Sequence, residues 1–334
     1  MFAEEVLKLP TNAVVEGTYL INDIKLRPFN EKEGHFLTFT LQDKTGILWS
    51  KIWDNAEYLA QQLKEQDASI VTIKGRTNLY NNKVQVIVDK IKKADTYNMK
   101  DLVKLASRDP EDMWGDLQNL WSFFEVKNKN IVKLWEFYSS NDEFLSKFKK
   151  WPGGKGTVHH AYQHGLLEHT LSVIQLVKSF KDRLSLPIDF EKAIMGAFLH
   201  DIGKIDSYSF DIGTKMTNIG RLHEHTVLGY FRFRRDVEFL EIKDDELIEE
   251  IGHIILSHHG SKEMHAVVKP MTIEAKLVSY ADNFDAETNY MSQQLEYNTD
   301  DFGWVFDSLN EQFYFKRPIT TNPVTIKRKK IQHV

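Results

Sequence analysis

Five short segments in the second half of the chain place histidine or aspartate inside apolar runs. A bare carboxylate among apolar side chains costs several kcal/mol unless a cation or hydrogen-bond donors compensate its charge. A bound metal ion supplies that compensation, so these residues are candidate metal ligands. The segments are GLLEHTLSVIQLV with His169, FLHDIGK with His200 and Asp201, RLHEHTVLG with His225, ILSHHG with His258 and His259, and LVSYADNFDA with Asp282.

The ligand types restrict both the metal and the chemistry. The chain contains no cysteine, which excludes thiolate sites and disulfides and leaves His, Asp and Glu as ligands. Imidazoles and carboxylates suit Mn²⁺, Fe²⁺, Zn²⁺ or Ni²⁺, whereas Mg²⁺ and Ca²⁺ prefer more oxygen ligands. A carboxylate such as that of Asp201 can bridge two ions, and two ions about 3.5–4 Å apart can activate a water for phosphodiester hydrolysis. We therefore expect one or two divalent ions.

Lys204 follows His200 by about one helical turn, so its ammonium is expected on a similar side, where it can meet a phosphate oxygen. The alternative is a solvated lysine at a helix C-terminus, which the helix dipole favours. His223, His253 and His265 lie outside any paired arrangement. We interpret these three as ordinary core or surface histidines.

Length and charge bound the class of protein. A chain of 334 residues predicts two domains, and a hydrophobic share of 42% can supply a sizeable core. The formal net charge of -5 argues against bulk coating of nucleic acid but permits a local basic patch. The sequence shows no secretory signal and no long apolar span, so we expect a soluble cytoplasmic protein with no membrane partner.

Residues 12–95 alternate between apolar and polar positions, as strands do. In HFLTFTLQD, Leu37, Phe39 and Leu41 share one face, and the turn KTG leads into ILWSKIW, which predicts a hairpin. Asn81 and Asn82 give the turn of a second hairpin. This order predicts an OB-fold barrel, a fold that often binds single-stranded nucleic acid, with an SH3-like barrel as the alternative. The predicted strands cover 13–27, 35–43, 47–53, 69–80 and 83–94, with a helix over 55–66 between the third and the fourth.

After residue 96 the apolar spacing changes to three and four, which predicts helices in NMKDLVKLA, EDMWGDLQNLWSFF and NIVKLWEFYSSNDEFLSKF, with a break at RDPED. The fold class is therefore multidomain, an all-β barrel followed by an all-α domain. We expect the barrel at 12–95, a helical connector at 96–150, the all-α domain at 151–315 and a flexible basic tail at 316–334. The helices from 98 to 150 could belong to either domain.

Two groups of barrel residues suit nucleic acid. Strand parity puts Trp49, Lys51 and Trp53 on one face, and Lys74 and Arg76 together on a neighbouring strand. Aromatic rings with interleaved cations are what unstacked bases and their phosphates require. The alternative places one of the two tryptophans in the core and makes Lys74 and Arg76 an ordinary solvated face. GYFRFRRD (229–236) and KRKK (327–330) are further basic clusters that could contact nucleic acid, and a solvated surface is the alternative for each.

The ligand spacing resembles a known signature. HD-domain metal-dependent phosphohydrolases have an H…HD…D pattern, which resembles His169, the pair His200-Asp201 followed by Gly203-Lys204, and Asp282. Some HD subfamilies have extra histidines that hold a second metal. His225 in EHTVLG and His258-His259 in SHHG resemble these. With a barrel in front and HHAYQHGLLEHTLSV at 159–173, the chain resembles the bacterial YhaM-type 3′-to-5′ exoribonucleases along most of its length.

The resemblance implies an activity and a division of roles. It implies that single-stranded RNA is trimmed from its 3′ end to nucleoside 5′-monophosphates, with Mn²⁺ as the leading ion and Fe²⁺, Zn²⁺, Ni²⁺ or Co²⁺ as alternatives. Lys204 would neutralise the scissile phosphate. The first ion would be held by His169, His200, Asp201 and Asp282, and the second by Asp201, His225, His258 and His259. Open alternatives are single-stranded DNA as substrate, a nucleotide or cyclic-dinucleotide phosphohydrolase, a non-catalytic DNA-binding factor with a structural HD site, and a homo-oligomer.

The chain departs from the family pattern at a few histidines. Gln163 and His164 stand where the family often has small residues, and His223 adds an imidazole two residues before His225. We interpret these as spectators, with an extra phosphate contact or an altered second-metal ligand as alternatives. His159 and His160 are expected to open a helix. Their side chains could line the site or pack in the first turn of that helix, and both alternatives stay open.

Overall fold

The computed structural model describes residues 1–30, 33–81, 83–154, 159–181, 183, 186–210, 214–297, 303–307 and 310–316. Its first part is a closed five-stranded barrel in the order β1-β2-β3-β5-β4. Strands β3 and β5 pair in parallel, and the other pairs are antiparallel. The predicted all-β barrel is therefore confirmed. Its elements are α1 (Ala3–Leu7), β1 (Val14–Pro28), β2 (His35–Asp43), β3 (Gly46–Ile52), α2 (Ala56–Glu65), β4 (Ile70–Tyr80) and β5 (Lys83–Lys93).

Alternation of side chains fills the barrel interior. Leu37, Phe39 and Leu41 of β2 are at most 1% exposed, because successive side chains of a strand point to opposite faces. The register of β4 against β5 shifts between Lys74 and Gly75. A Cβ at Gly75 would meet the carbonyl oxygen of Ile87, so the close approach at this bulge requires glycine.

The second part is largely helical, as predicted, but it also carries two short hairpins that the apolar spacing did not predict. The predicted continuous stretch 130–148 is two helices, because the side chain of Asn141 accepts a hydrogen bond from the Phe144 N–H and starts a new helix. The helices are α3 (Met99–Leu102), α4 (Pro110–Phe123), α5 (Lys129–Ser139), α6 (Asp142–Lys150), α7 (Gly165–Lys181), α8 (Phe190–Leu199), α9 (Lys204–Ser207), α10 (Asn218–Phe239), α11 (Asp245–Ser257) and α12 (Ile273–Tyr297). The hairpins are β6 (Tyr208–Phe210) with β7 (Thr214–Met216), and β8 (Trp304–Asp307) with β9 (Gln312–Phe315).

One hydrophobic core joins the helices. Trp114 of α4, Leu134 of α5 and Phe148 of α6 belong to the same buried cluster as Phe198 of α8 and Ile254 of α11. Helices α4, α5 and α6 of the predicted connector therefore pack with those that follow them, whereas Leu102 of α3 clusters with Leu20 and Ile70 of the barrel strands. The predicted boundary near 150 stays a prediction. Of the predicted basic tail, all but its first residue lies outside the described residues, and so do KRKK and Asn82.

The basic cluster at 229–236 is only partly solvated. The guanidinium of Arg232 donates two hydrogen bonds to Asp206, at 2.9 and 2.7 Å, and its side chain is 17% exposed. The alternative of a solvated surface is wrong for this arginine, because a helix-to-helix ion pair buries it. Within the described part of the chain, no helix combines the length and the apolar character needed to cross a membrane.

Candidate metal centre and nucleic-acid face

The candidate ligands come from five helices but meet at one point in the interior. His169 lies in α7, His200 and Asp201 follow α8, His225 lies in α10, His258 and His259 follow α11, and Asp282 lies in α12. The chain turns sharply after α8, and a Cβ at Gly203 would meet the carbonyl oxygen of His225. Glycine therefore lets the turn that carries Asp201 touch the helix that carries His225.

The first ligand cluster forms around the Nε2 atom of His169. This atom lies 3.1 Å from Nε2 of His200, 3.0 Å from Oδ1 of Asp282 and 3.4 Å from Oδ2 of Asp201. His200 Nε2 lies 3.3 Å from the same Asp201 oxygen. These are the four residues that the resemblance implies for a first ion, and the structure brings all four together.

The second ligand cluster forms around the other oxygen of Asp201. Oδ1 lies 3.4 Å from His225 Nε2 and 3.7 Å from His258 Nε2. Nε2 of His259 is 3.0 Å from that of His225. Asp201 thus presents one oxygen to each cluster, which is the geometry that a bridging carboxylate needs.

The hydrogen bonds of the imidazoles fit a metal. Nδ1 of His200 donates to the Ala197 carbonyl at 2.7 Å, and Nδ1 of His258 donates to the Ile255 carbonyl at 2.7 Å. With Nδ1 protonated, Nε2 of each neutral ring carries a lone pair, the usual state of a metal-binding histidine.

Two atoms test that fit directly. Oδ1 of Asp201 and Nε2 of His258 are buried without a hydrogen-bond partner among the described residues. Buried polar atoms of this kind need a partner, and lone pairs directed at one another are best compensated by a cation. The donor set of imidazoles and carboxylates therefore fits divalent metal ions.

Lys204 is buried against this centre and is not solvated. Its side chain is 5% exposed and its Nζ lies 2.5 Å from Oδ2 of Asp201. Burial disfavours both the Asp201 carboxylate and the Lys204 ammonium, but the nearby Lys204 and His200 hold the pKa of Asp201 well below its usual range. The alternative of a solvated lysine is wrong, because α9 begins at Lys204 and turns the side chain inward.

Sequence reasoning missed Asp285. Its Oδ2 accepts hydrogen bonds from Nδ1 of His169 at 2.6 Å and from Nε2 of His160 at 2.8 Å, and Ser172 donates to its other oxygen. A carboxylate behind a ligand histidine fixes the ring orientation and raises ligand basicity. The available signal was the position of Asp285 one helical turn beyond Asp282.

His160 differs from its prediction. It is 2% exposed, has φ of 49° and precedes α7, which begins at Gly165. The expectation that it opens a helix is therefore wrong. His160, His169 and Asp285 lie close enough together to hold an ion, but their mutual hydrogen bonds already satisfy them and orient His169.

Three further histidines in the described part of the chain lie outside the two ligand clusters. The ring of His159 is 5.3 Å from that of His169, and burial lowers the pKa of His159 to about 2, which keeps it neutral. Nδ1 of His164 contacts the Lys149 carbonyl oxygen at 2.6 Å, and His223 is exposed. The spectator roles of His164 and His223 stay predictions.

On the barrel, Trp49, Lys51 and Trp53 share the outer face, as strand parity predicts. Trp49 is 65% and Trp53 39% exposed, whereas Ser50 and Ile52 between them are buried. The alternative that one tryptophan fills the core is wrong, because the intervening residues do so. The Lys51 ammonium lies 5.4 Å from the Trp53 ring centroid.

Three aromatic residues that sequence reasoning missed extend this face. The rings of Phe29 and Phe36 lie 6.1 and 5.0 Å from that of Trp53. Lys51 Nζ lies 4.5 Å from the ring centroid of Tyr80. These residues flank the β1–β2 and β4–β5 connections, which together with strands 2 and 3 form the usual binding face of such barrels.

Lys74 and Arg76 are exposed on the outer surface of β4. Arg76 pairs with Ile87 of β5, which pairs in turn with Lys51, so Arg76 lies two strands from Lys51 in the same row. The Lys74 ammonium is 3.8 Å from Glu16. Arg76 therefore extends the aromatic face, while the charge of Lys74 is partly compensated.

Comparison with known families agrees with both halves of this description. The HD domain family matches residues 166–287, and the OB-fold nucleic acid binding domain family matches residues 21–94. The molecule is thus an OB-fold barrel joined to an HD domain, the fold class that the sequence predicts. Divalent-metal binding goes with the HD domain and with the ligand clusters.

Similar proteins define the family further. The 3′-5′ exoribonuclease YhaM of Bacillus subtilis (strain 168) is 30% identical over 264 residues, 78% of this chain and 81% of that protein. YhaM of Geobacillus sp. (strain WCH70) is 30% identical over 78% of this chain and 79% of its own length. YhaM of Bacillus pumilus (strain SAFR-032) is 28% identical over 78% and 82%. The chain belongs to the YhaM family.

Proposed function

We propose that the protein is a 3′-5′ exoribonuclease that hydrolyses single-stranded RNA from its 3′ end and releases nucleoside 5′-monophosphates. The observation that carries the proposal is the position of Asp201, one oxygen in each of two histidine-rich clusters. Its relatives in Bacillus and Geobacillus carry the name of this activity.

The ligands divide into two sets in this proposal. The first set is His169, His200, Asp201 and Asp282, and the second is Asp201, His225, His258 and His259. When bound, divalent ions supply an activated water and electrostatic stabilisation of the entering and leaving oxygens. Mn²⁺ is the leading ion, because mixed imidazole and carboxylate ligands suit it, with Fe²⁺, Zn²⁺, Ni²⁺ and Co²⁺ as alternatives.

The chain's own residues prepare the site. Asp285 holds Nδ1 of His169, and the Ala197 and Ile255 carbonyls hold His200 and His258. Lys204 fixes Asp201 and brings a positive charge to the place where negative charge builds on the phosphoryl oxygens. Because these groups are oriented before substrate binds, little reorganisation is needed during the reaction.

The barrel captures the strand in this proposal. Bases stack on the exposed rings of Trp49 and Trp53, and Lys51 and Arg76 meet the backbone phosphates. Single-stranded DNA would offer the same stacking faces and phosphates, so it is the alternative substrate. A cytoplasmic location and a homo-oligomeric state remain expectations from the sequence.

The deciding experiment incubates the purified protein with a 5′-labelled RNA 20-mer, the matching DNA 20-mer and, separately, a cyclic dinucleotide. Mn²⁺, Mg²⁺ and Zn²⁺ are compared as the added ion. We expect a ladder of shortened 5′-labelled RNA and nucleoside 5′-monophosphate as the product. Cleavage of the cyclic dinucleotide alone, or internal cuts in the RNA, would contradict the proposal.

A further inference from the structure

A cavity opens directly from the metal centre. It has a volume of about 620 Å³ and reaches the side chains of Asp282 and His259 at one end, which is within the range of small-molecule sites. From there it follows one face of α12 past Asn283, Ala286 and Tyr290. Eight residues of helix span about 12 Å, so the cavity extends a nucleotide's length from the ligands.

The β8–β9 hairpin forms the far wall of this cavity. Asp307, which is 4% exposed, accepts hydrogen bonds from the hydroxyl of Tyr290 at 2.9 Å, from Nδ2 of Asn310 at 2.8 Å and from the hydroxyl of Tyr314 at 3.1 Å. All three donors line the cavity. A single buried carboxylate thus fixes the wall, and the hairpin lies outside the residues that match the HD domain family.

The lining suits a nucleoside. The hydroxyls of Tyr290 and Tyr314 are engaged by Asp307, which leaves their rings as flat surfaces for a base. The amide of Asn283 can pair with a base edge. Nε2 of Gln312 donates to the Tyr314 hydroxyl at 2.8 Å, which leaves the amide oxygen of Gln312 to accept from a base. The carboxylate of Glu287 can accept from a ribose hydroxyl, as acidic residues do in dinucleotide sites, and it would repel a second phosphate.

We propose that this cavity, the terminal-nucleoside pocket, seats the 3′-terminal nucleoside of the substrate and requires a free 3′-hydroxyl. The inference rests on the proposed function, because it places the 5′-phosphate of that nucleoside at the ligands around Asp201. Chain cleavage then occurs one nucleotide from the end, since the hairpin closes the far side. The released nucleoside 5′-monophosphate is a ligand of the same pocket.

The two faces of β9 provide a matched pair of variants. Tyr314 lines the pocket, whereas Phe313 is 64% exposed and does not line it. Adenosine 5′-monophosphate is titrated by calorimetry into the full-length protein with Mn²⁺, and its inhibition of bis-p-nitrophenyl phosphate hydrolysis is measured in parallel. We expect Tyr314→Ala to weaken binding and inhibition by about tenfold or more, the range for loss of one stacking partner. Phe313→Ala should change both by less than about twofold, as expected for a surface position outside the pocket.

A second pair of variants separates loss of the pocket from misfolding of the hairpin. Ala286→Phe fills the pocket from α12, and Ser292→Phe adds the same ring at an exposed α12 position outside it. The filled variant should lose nucleotide binding and RNA trimming but keep its bound metal, measured by elemental analysis. Ser292→Phe should keep all three, and melting temperatures should match the parent protein.

The requirement for a free 3′-hydroxyl is tested in a separate binding experiment. Adenosine 3′,5′-bisphosphate should bind more weakly than adenosine 5′-monophosphate, and Glu287→Gln should remove that difference. If Tyr314→Ala and Phe313→Ala bind the monophosphate equally, or if Ala286→Phe trims RNA normally, the pocket is not a nucleoside site. Failure of the parent protein to cleave any RNA would instead overturn the proposed function.

Discussion

The metal centre and the barrel face build their sites in opposite ways. At the centre, His169, His200 and His258 are fully buried, and a hydrogen bond to the second ring nitrogen fixes each of them. On the barrel, Trp49 and Trp53 are exposed and are oriented mainly by strand parity. Chemistry on a phosphodiester needs fixed charges with little water, whereas a polymer of varied sequence is better held on exposed rings that tolerate any base.

This difference predicts how substitutions act. A change at the metal centre alters ligand charge, burial and catalysis together, because the same atoms serve all three. A change on the barrel face alters substrate affinity and leaves the chemistry of a small substrate intact. The comparison can therefore be tested by measuring, for each variant, whether catalysis of a small substrate or affinity for RNA changes.

The largest effect is expected for Asp201→Asn. The amide keeps an oxygen for the Lys204 ammonium but removes the charge shared by both clusters. Turnover of RNA and of bis-p-nitrophenyl phosphate should both fall by at least about 10²-fold, the usual cost of losing one transition-state stabiliser. Bound metal, measured by elemental analysis, should fall in parallel. Near-normal turnover with normal metal content would show that the ligand assignment is wrong.

Lys204→Met should give the next largest effect, because it removes the ammonium but keeps most of the apolar stem. The fall should appear in kcat and be about 10²-fold, with RNA affinity little changed. In metal-free protein the buried carboxylate of Asp201 loses its ion pair, which costs about 3–5 kcal/mol at most buried sites. The melting temperature should therefore drop more in chelator than with Mn²⁺.

Lys147→Met is the matched control for this variant, because Lys147 forms an exposed ion pair with Glu143. Exposed pairs contribute about 0–1 kcal/mol, so its stability and turnover should stay close to those of the parent. Unchanged turnover of Lys204→Met with intact metal would remove Lys204 from the proposed mechanism.

Asp285→Asn tests whether the missed carboxylate acts through His169. Losing its charge should weaken the hold on Nδ1 and cost about 10- to 100-fold in metal affinity or turnover, as for other residues behind metal ligands. Glu168→Gln is the control, since Glu168 contacts His160 and Tyr162. Metal titrations should separate the two variants, and an equal effect of both would assign Asp285 a packing role.

Much of this molecule was predictable because its signals are local. The strand bounds follow from period-two alternation, and ligand residues inside apolar runs stand out because burial there needs a cation. His160 was placed wrongly, since its backbone is left-handed and both its backbone N–H and its ring are held by distant residues, Asn289 and Asp285. The spacing of apolar residues along the sequence does not predict such a contact.

The terminal-nucleoside pocket shows the same limit. Asp307 and Tyr314 lie in a segment without an obvious period, and their role depends on Tyr290 of α12 reaching Asp307. On the barrel, Phe29 just after β1, Phe36 of β2 and Tyr80 of β4 join Trp53 and Lys51 through contacts between segments that are distant in sequence. Sequence spacing predicts which residues share a strand or a helix face, but not which strand ends meet.

The smallest effect on catalysis is expected on the barrel, from Trp49→Ala. Loss of one stacking ring should raise the Kd for single-stranded RNA by about 5- to 150-fold, since stacking contributes about 1–3 kcal/mol per base. Hydrolysis of bis-p-nitrophenyl phosphate should be unchanged, because that substrate has no bases to stack. Phe123→Ala is the control, since Phe123 is also exposed and carries a lysine, Lys178, 3.9 Å from its ring centroid, but lies on the helical domain.

The two variants are compared by fluorescence titration of labelled RNA at two salt concentrations. Phe123→Ala should leave the Kd within about twofold, as a surface substitution away from the binding face does. Trp49→Ala should shift the Kd by a similar factor at both salt concentrations, because stacking releases no counterions, whereas loss of a phosphate contact would reduce the salt slope. Equal affinities of both variants and the parent would show that this face does not bind RNA. A fall in hydrolysis of the small substrate would show that barrel and metal centre are not separable.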